Sequence, residues 1–176
     1  MNEFVADVKM LRERARQNML KGAVTENYKA NRDQVIQVLN DVLATEIVCS
    51  LRYMRHYYMA TGINSEAVKA EFQQHAKDEQ QHADWVATRI VQLNGRPNFN
   101  PEGLSSRSHS EYVEGNDLLS MIREDLVAER IAVESYAEII RWLGNNDPTS
   151  RKIMEDILKT EEDHAEDMKS LLERMG

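Results

Sequence analysis

Glutamate and histidine stand three residues apart twice in this chain. They occur in KDEQQHADW (residues 77–85) as Glu79 and His82, and in TEEDHAEDM (residues 160–168) as Glu161 and His164. Three residues along a helix is nearly one turn, so each carboxylate points into the same volume as its imidazole. Each pair also interrupts a stripe of apolar residues. Two more glutamates do the same, Glu46 lying 33 residues before Glu79 and Glu129 lying 32 before Glu161. Tyrosine follows each of these seven residues later, at Tyr53 and Tyr136. The two halves read as two copies of one hairpin. Four carboxylates facing one another in a core would each cost several kcal/mol or neutralise by protonation. Two divalent cations cancel four negative charges, and two neutral imidazoles complete the donor set. Hard oxygen donors with some imidazole suit iron or manganese.

Positioning these six residues requires four long helices, and the apolar periodicity predicts them. The first runs from about Arg32 to Thr61, with Val35, Leu39, Val42, Tyr53 and Tyr57 on one stripe and Gly62 as its stop. The second opens at Ser65 and runs to about Asn94, with the stripe Val68, Phe72, His75, Glu79, His82, Val86, Ile90, Leu93 and with Gly95 and Pro97 ending it. A third covers about Asn116 to Leu143 and carries Ile122, Leu126, Glu129, Val133, Tyr136 and Ile140. The fourth starts near Thr149 and continues almost to Gly176, with Met154, Ile157, Leu158, Met168 and Leu171. Every helix holds its acid near mid-length, so an antiparallel bundle brings all four to one level.

The turns after the first and third helices are short, which makes each pair an antiparallel hairpin. Between the second and third helices lies GRPNFNPEGLSSRSHSEYVEG (residues 95–115), rich in turn formers. A 30-residue helix is about 45 Å long, and 20 extended residues reach about 66 Å, so this segment can return along the whole bundle. The expected fold is all-α: an antiparallel four-helix bundle over residues 32–176 with one long crossover, preceded by a helical extension over residues 1–31. Phe4, Val8, Leu11 and Met19 of that extension are available to dock.

Other polar residues on the same helices take plainer readings. His75 shares the second stripe and reads as a core group behind the ligands. Cys49, one turn beyond Glu46, reads as a small buried hydrophobe. His56 and His109 have no partner pattern and are expected at the surface. Asp125, one turn before Glu129, is expected to accept a hydrogen bond from the non-ligating nitrogen of His82 or His164.

Composition narrows the function classes. Three prolines and seven glycines in 176 residues suit long helices. No apolar run approaches the roughly 18 to 20 residues that span a bilayer, and the start, with Glu3 and Asp7, shows no signal pattern. A cytoplasmic protein with no membrane partner is therefore expected. A single cysteine excludes a disulfide framework and any Cys-rich zinc or iron site. The net charge is −8, with residues 1–33 at +2 and the body at −10. An acidic body argues against DNA as a partner.

The glutamate–histidine pattern resembles that of the bacterioferritins, within the ferritin-like superfamily, over about residues 32–175. The resemblance implies a di-iron ferroxidase centre, with Glu46, Glu79 and His82 serving one half and Glu129, Glu161 and His164 the other. It implies that Glu79 and Glu129, or their symmetry mates, include the bridging carboxylates. It also places Tyr53 beside the centre as a catalytic tyrosine, and Asp78 where an acid leads to the cavity. The implied activity is oxidation of Fe²⁺ by O₂ or H₂O₂, with ferric mineral stored in an oligomeric shell. Two departures stand out. The position after the second-helix glutamate, where bacterioferritins carry a haem-ligating methionine, holds Gln80, which leaves haem open, with Met54 and Met59 as other sulfur donors. Only twelve residues follow His164, which leaves no fifth helix and is similar to the twelve-subunit Dps type; a homododecamer is the expected assembly. The alternatives are a di-iron peroxidase of the rubrerythrin kind, whose four-cysteine domain one cysteine cannot supply, and a Dps-type DNA-protecting shell.

Overall fold

In the computed structural model, which describes residues 7–62 and 65–175, the regular structure is six α-helices and one short 3-10 turn, Met19–Lys21. The α-helices are α1 (Val8–Gln17), α2 (Arg32–Met59), α3 (Ser65–Gln92), α4 (Leu104–Arg107), α5 (Leu118–Leu143) and α6 (Pro148–Met175). Helices α2, α3, α5 and α6 form the expected bundle, α2 packing chiefly on α3 and α5 on α6.

Local chemistry sets the helix ends. Asn31 caps α2 by accepting from the Gln34 N–H, and Asp117 and Ser120 form a reciprocal capping box at the start of α5. Asp147 caps α6 by accepting from Ser150 N at 2.9 Å, ahead of Pro148 at a position where no amide partner is needed. At the end of α3 the left-handed residue is Asn94 (φ 62°), and Gly95 N donates to Ile90 O at 2.9 Å. Gly95 is required for a different reason than conformation. A Cβ there would come within 2.8 Å of Ile36 Cγ2, so the absence of a side chain lets the chain leave α3 pressed against α2.

The apolar core is divided. Val35, Leu39, Leu43, Val86, Ile90, Leu93, Tyr136, Leu143, Met154 and Ile157 fill one half of the bundle. Tyr53, Val68, Phe72, Met121, Ile122 and Met168 fill the other. The level between them is polar. Helix α2 is long and apolar enough by composition to cross a membrane, but its apolar side is this core.

The crossover contains one helical turn, α4, and is stitched to the bundle by hydrogen bonds. Asn98 N donates to Asn40 Oδ1 (2.7 Å) and His109 N to Thr45 Oγ1 (2.9 Å). Arg52 Nη1 donates to Glu111 O (2.9 Å), and His56 Nε2 lies 3.1 Å from Val113 O. Arg52 and His56 both converge on Asp125, through Arg52 Nε (2.8 Å) and His56 Nδ1 (2.8 Å). All three side chains are buried. Two expectations are corrected here. His56 is not at the surface, and Asp125 serves neither His82 nor His164 but anchors a clamp on the crossover. His109 is exposed.

The extension meets the bundle differently from the expectation. Val8, Leu11 and Met19 remain exposed, while Phe4 lies outside the described residues. Val24, Tyr28 and Ala30 make the contact with the core instead, and Tyr28 OH donates to Asp147 Oδ2 at 2.8 Å.

Removing one member of a buried ion pair leaves the other charge stranded, at a cost of about 3–5 kcal/mol. Arg52→Met is therefore expected to lower the melting temperature by on the order of 10 °C. The same variant should accelerate amide exchange in residues 109–113, measured by hydrogen–deuterium exchange.

Candidate metal centre

The polar level is built from residues near the middle of each long helix. Glu46 comes from α2, Glu79 and His82 from α3, Glu129 from α5, and Glu161 and His164 from α6. None of the six is more than 3 % exposed. The structure brings all six together in two overlapping groups. Glu46, Glu79, His82 and Glu161 form one; Glu79, Glu129, Glu161 and His164 form the other, with ligand atoms within 4.8 Å of one another in each. Glu79 and Glu161 are common to both groups, whereas Glu129 sits in only one of these two. Glu129 also groups with His75 and His164.

Both imidazoles turn Nδ1 inward. His82 Nδ1 lies 3.0 Å from Glu46 Oε2, 3.0 Å from Glu161 Oε1 and 3.7 Å from Glu79 Oε2. His164 Nδ1 lies 3.3 Å from Glu161 Oε2, 3.5 Å from Glu79 Oε1 and 4.0 Å from Glu129 Oε2. The outward Nε2 of His164 faces Asp78 Oδ2 at 3.3 Å. Asp78 thus performs the ring-fixing task expected of Asp125. Helical spacing could have suggested it, since Asp78 stands three residues, nearly one turn, after the inward-facing His75.

Two tyrosines tie the halves together crosswise. Tyr53 on α2 donates to Glu129 on α5, and Tyr136 on α5 donates to Glu46 on α2. His75 is buried, with its ring stacked on His164 at 3.8 Å between centroids and Nδ1 3.2 Å from Tyr53 OH. Cys49 is buried beside Arg52. Gln80 is exposed, Met54 packs on the core around Tyr53, and Met59 is exposed.

Burial and crowding displace proton affinities in this pocket. Burial, then the neighbouring Glu79 carboxylate, pushes Glu46 up to about 8. Burial and the nearby Glu161 and Glu79 raise Glu129 well above the carboxylate range. For His164, burial opposes the charge, but the close Glu161 and Glu79 carboxylates outweigh it and lift the ring to about 11. The same balance raises His82, where Glu161, Glu46 and Glu79 are the partners. Even so, Glu79 Oε1, both carboxylate oxygens of Glu161 and His164 Nδ1 are buried without a hydrogen bond of proper geometry. Oxygens and a nitrogen converging on one volume, with too few hydrogens among them, could hold a metal ion.

Fold and pocket together define an antiparallel helix bundle with a buried acid–imidazole layer. The ferritin-like domain model matches residues 36–176, and the chain belongs to the ferritin-like family. It is similar to the bacterioferritin of Desulfovibrio desulfuricans, at 26 % identity over 139 residues, covering 78 % of this chain and 74 % of that protein. It is also similar to a bacterial ferritin of Pseudomonas aeruginosa, at 29 % identity over 148 residues, covering 81 % and 91 %. Among solved structures, a dodecameric thioferritin, the bacterioferritin-related protein of Bacteroides fragilis, matches with a TM-score of 0.80 and 28 % identity over 84 % of this chain and 89 % of that one. Dps from Thermosynechococcus elongatus shares the fold with a TM-score of 0.76 at 18 % identity, covering 80 % and 90 %.

Protons and metals compete for the same atoms, so metal affinity should depend on pH in a defined direction. Groups whose proton affinity is raised keep their protons below those raised values and must give them up to bind a cation. Zn²⁺ affinity is expected to rise from pH 6 to pH 8, with protons released on binding in weakly buffered solution. Calorimetry in buffers of different ionisation enthalpy measures both. A flat affinity with no proton release would contradict the arrangement.

Proposed function

We propose that the chain is a ferroxidase that binds Fe²⁺ in pairs as substrate, oxidises it, and passes the ferric product to storage within an oligomer. The observation that carries the reading is the set of buried, unpartnered donor atoms of Glu79, Glu161 and His164 at the centre of the bundle. A cation pair satisfies every one of them. Glu46 with His82, and Glu129 with His164, are assigned as the ligands belonging to one ion each, and Glu79 and Glu161 as the carboxylates shared by both. Two Fe²⁺ ions, each oxidised to Fe³⁺, supply two electrons, which together with two protons from solvent reduce O₂ to H₂O₂ or H₂O₂ to two waters.

The protein's own contribution is geometry and charge. Four carboxylates offset the charge of two divalent ions, and the cluster then needs no protons to be neutral. Tyr53 and Tyr136 are positioning residues: each holds the terminal glutamate of the opposite hairpin while leaving a carboxylate oxygen for metal. This narrows the role of Tyr53 from the catalytic one implied by resemblance. Asp78 keeps the His164 ring turned so that Nδ1 faces inward. The apolar cores on either side keep bulk water from the pocket.

Storage rests on assembly. The similar Bacteroides protein is dodecameric, and a shell of twelve chains gives an interior in which the acidic body can gather cations by electrostatic focusing.

Glu79→Ala or Glu161→Ala is expected to abolish rapid Fe²⁺ oxidation, followed by stopped-flow absorbance, because each removes a carboxylate shared by both ions. The fold should survive, since loss of a carboxylate relieves repulsion in the metal-free core; circular dichroism checks this. Oxidation at the full rate in either variant would refute the ligand assignment.

Native mass spectrometry tests the shell. A mass of about 240 kDa is expected for twelve chains of 20.3 kDa each. A stable dimer would remove the storage cavity and leave a plain di-iron oxidase.

A further inference from the structure

Outside the central pocket, one more group of metal-binding side chains converges. Glu71 and His75 on α3 and Asp167 on α6 bring ligand atoms within 4.8 Å of one another. His75 is 2 % exposed, yet its Nε2 is aimed outward at two half-exposed carboxylates, 3.4 Å from Asp167 Oδ2 and 3.9 Å from Glu71 Oε2. Among the described residues, no lysine or arginine forms an ion pair with either carboxylate.

The hydrogen-bond chain behind His75 decides what its outer nitrogen can do. Tyr53 donates its only proton to Glu129. Its oxygen can then only accept, and His75 Nδ1, at 3.2 Å, is the donor that reaches it. A neutral ring that carries its hydrogen on Nδ1 has a bare lone pair on Nε2. That lone pair faces two carboxylates, so three acceptors meet with no hydrogen between them. A divalent cation resolves the conflict, and two carboxylates with one imidazole suit Fe²⁺, Mn²⁺, Co²⁺ or Zn²⁺.

We propose that Glu71, His75 and Asp167 form a third divalent-cation site at the outer mouth of the central pocket, a staging post through which substrate ions pass. The position supports transit, because the His75 ring stacks on His164 at 3.8 Å and groups with Glu129 and His164 within 4.8 Å. The inference rests on the reading of Glu129 as a metal-binding carboxylate in the central pocket.

Anaerobic titration with Co²⁺, followed by calorimetry and visible absorbance, tests the site. The unmodified protein is expected to bind three equivalents per chain. Glu71→Gln combined with Asp167→Asn should bind two and fill them more slowly in stopped-flow mixing. Those substitutions keep side-chain shape at half-exposed positions, and an unchanged melting temperature would confirm that the fold holds. Equal stoichiometry in the double variant and the unmodified protein would overturn the third site. Glu79→Ala tests the underlying reading separately: it should lose the pocket's equivalents and retain the outer one. If Glu79→Ala instead keeps every equivalent, the pocket reading fails and the third site falls with it.

Discussion

Four carboxylates at one level of a helix bundle are the constraint around which the rest of this chain is arranged. A buried, unpaired carboxylate costs several kcal/mol, and four in one pocket repel one another as well. Such a layer persists only if the helices carrying it are held together by something else. The two apolar cores do this from both sides, one through Leu39, Leu43, Ile90 and Ile157, the other through Phe72, Ile122 and Met168. Capped helices of 26 to 28 residues give each half room for several apolar turns beyond the acids. A bundle half as long would place the same acids at its ends, where water would enter and no pocket would exist.

The chain solves this with a repeated hairpin and then departs from the repeat. Tyr53 and Tyr136 occupy equivalent places and reach across to the opposite glutamate, so each hairpin's ligand is held by the other hairpin. The pocket is therefore complete only when both halves have docked. The departures gather around one half of the layer. Asp78 braces His164, but the residue equivalent to it in the second hairpin, directly before Glu161, is Thr160 and offers no carboxylate. His75 has Ile157 as its counterpart, and the Arg52–His56–Asp125 clamp has Ser135, Ile139 and Val42. Polar elaboration on one side of a nearly symmetric site gives its two halves different surroundings, and with them a direction.

Helical period made the six acids and imidazoles legible, because a polar residue inside an apolar stripe declares its own direction. The bundle, the hairpins and the crossover followed from the same stripes and from chain reach. Period cannot say which neighbour a side chain meets. His56 and Asp125 lie 69 residues apart, and the carbonyl of Val113 that completes their contact belongs to an irregular segment with no repeat to read. Period puts Asp125 on the inward face of α5, but the groups that meet it there are Arg52 and His56 of α2, not His82 or His164. Which glutamates lie nearest both imidazoles depends on where side chains cross between helices, and period carries no such information. In the extension, apolar residues pointed to docking, yet the contact is made by Val24, Tyr28 and Ala30 beyond α1.

Displaced proton affinities explain how four carboxylates and two imidazoles can share one buried level. Raised proton affinities at Glu46, Glu129, His82 and His164 mean that hydrogens stand where positive charge is required. Protons are an incomplete substitute, since each satisfies at most two atoms in fixed directions, whereas a divalent ion takes six or so ligands with broad angular freedom. That difference is why oxygens of Glu79 and Glu161 stay unpartnered even with the histidines beside them. The tyrosine bonds keep the terminal glutamates from swinging to fill the gap. The pocket is thereby kept open at a cost borne by the two cores, and the donor atoms left without hydrogen bonds are the ones that the proposed ion pair would engage.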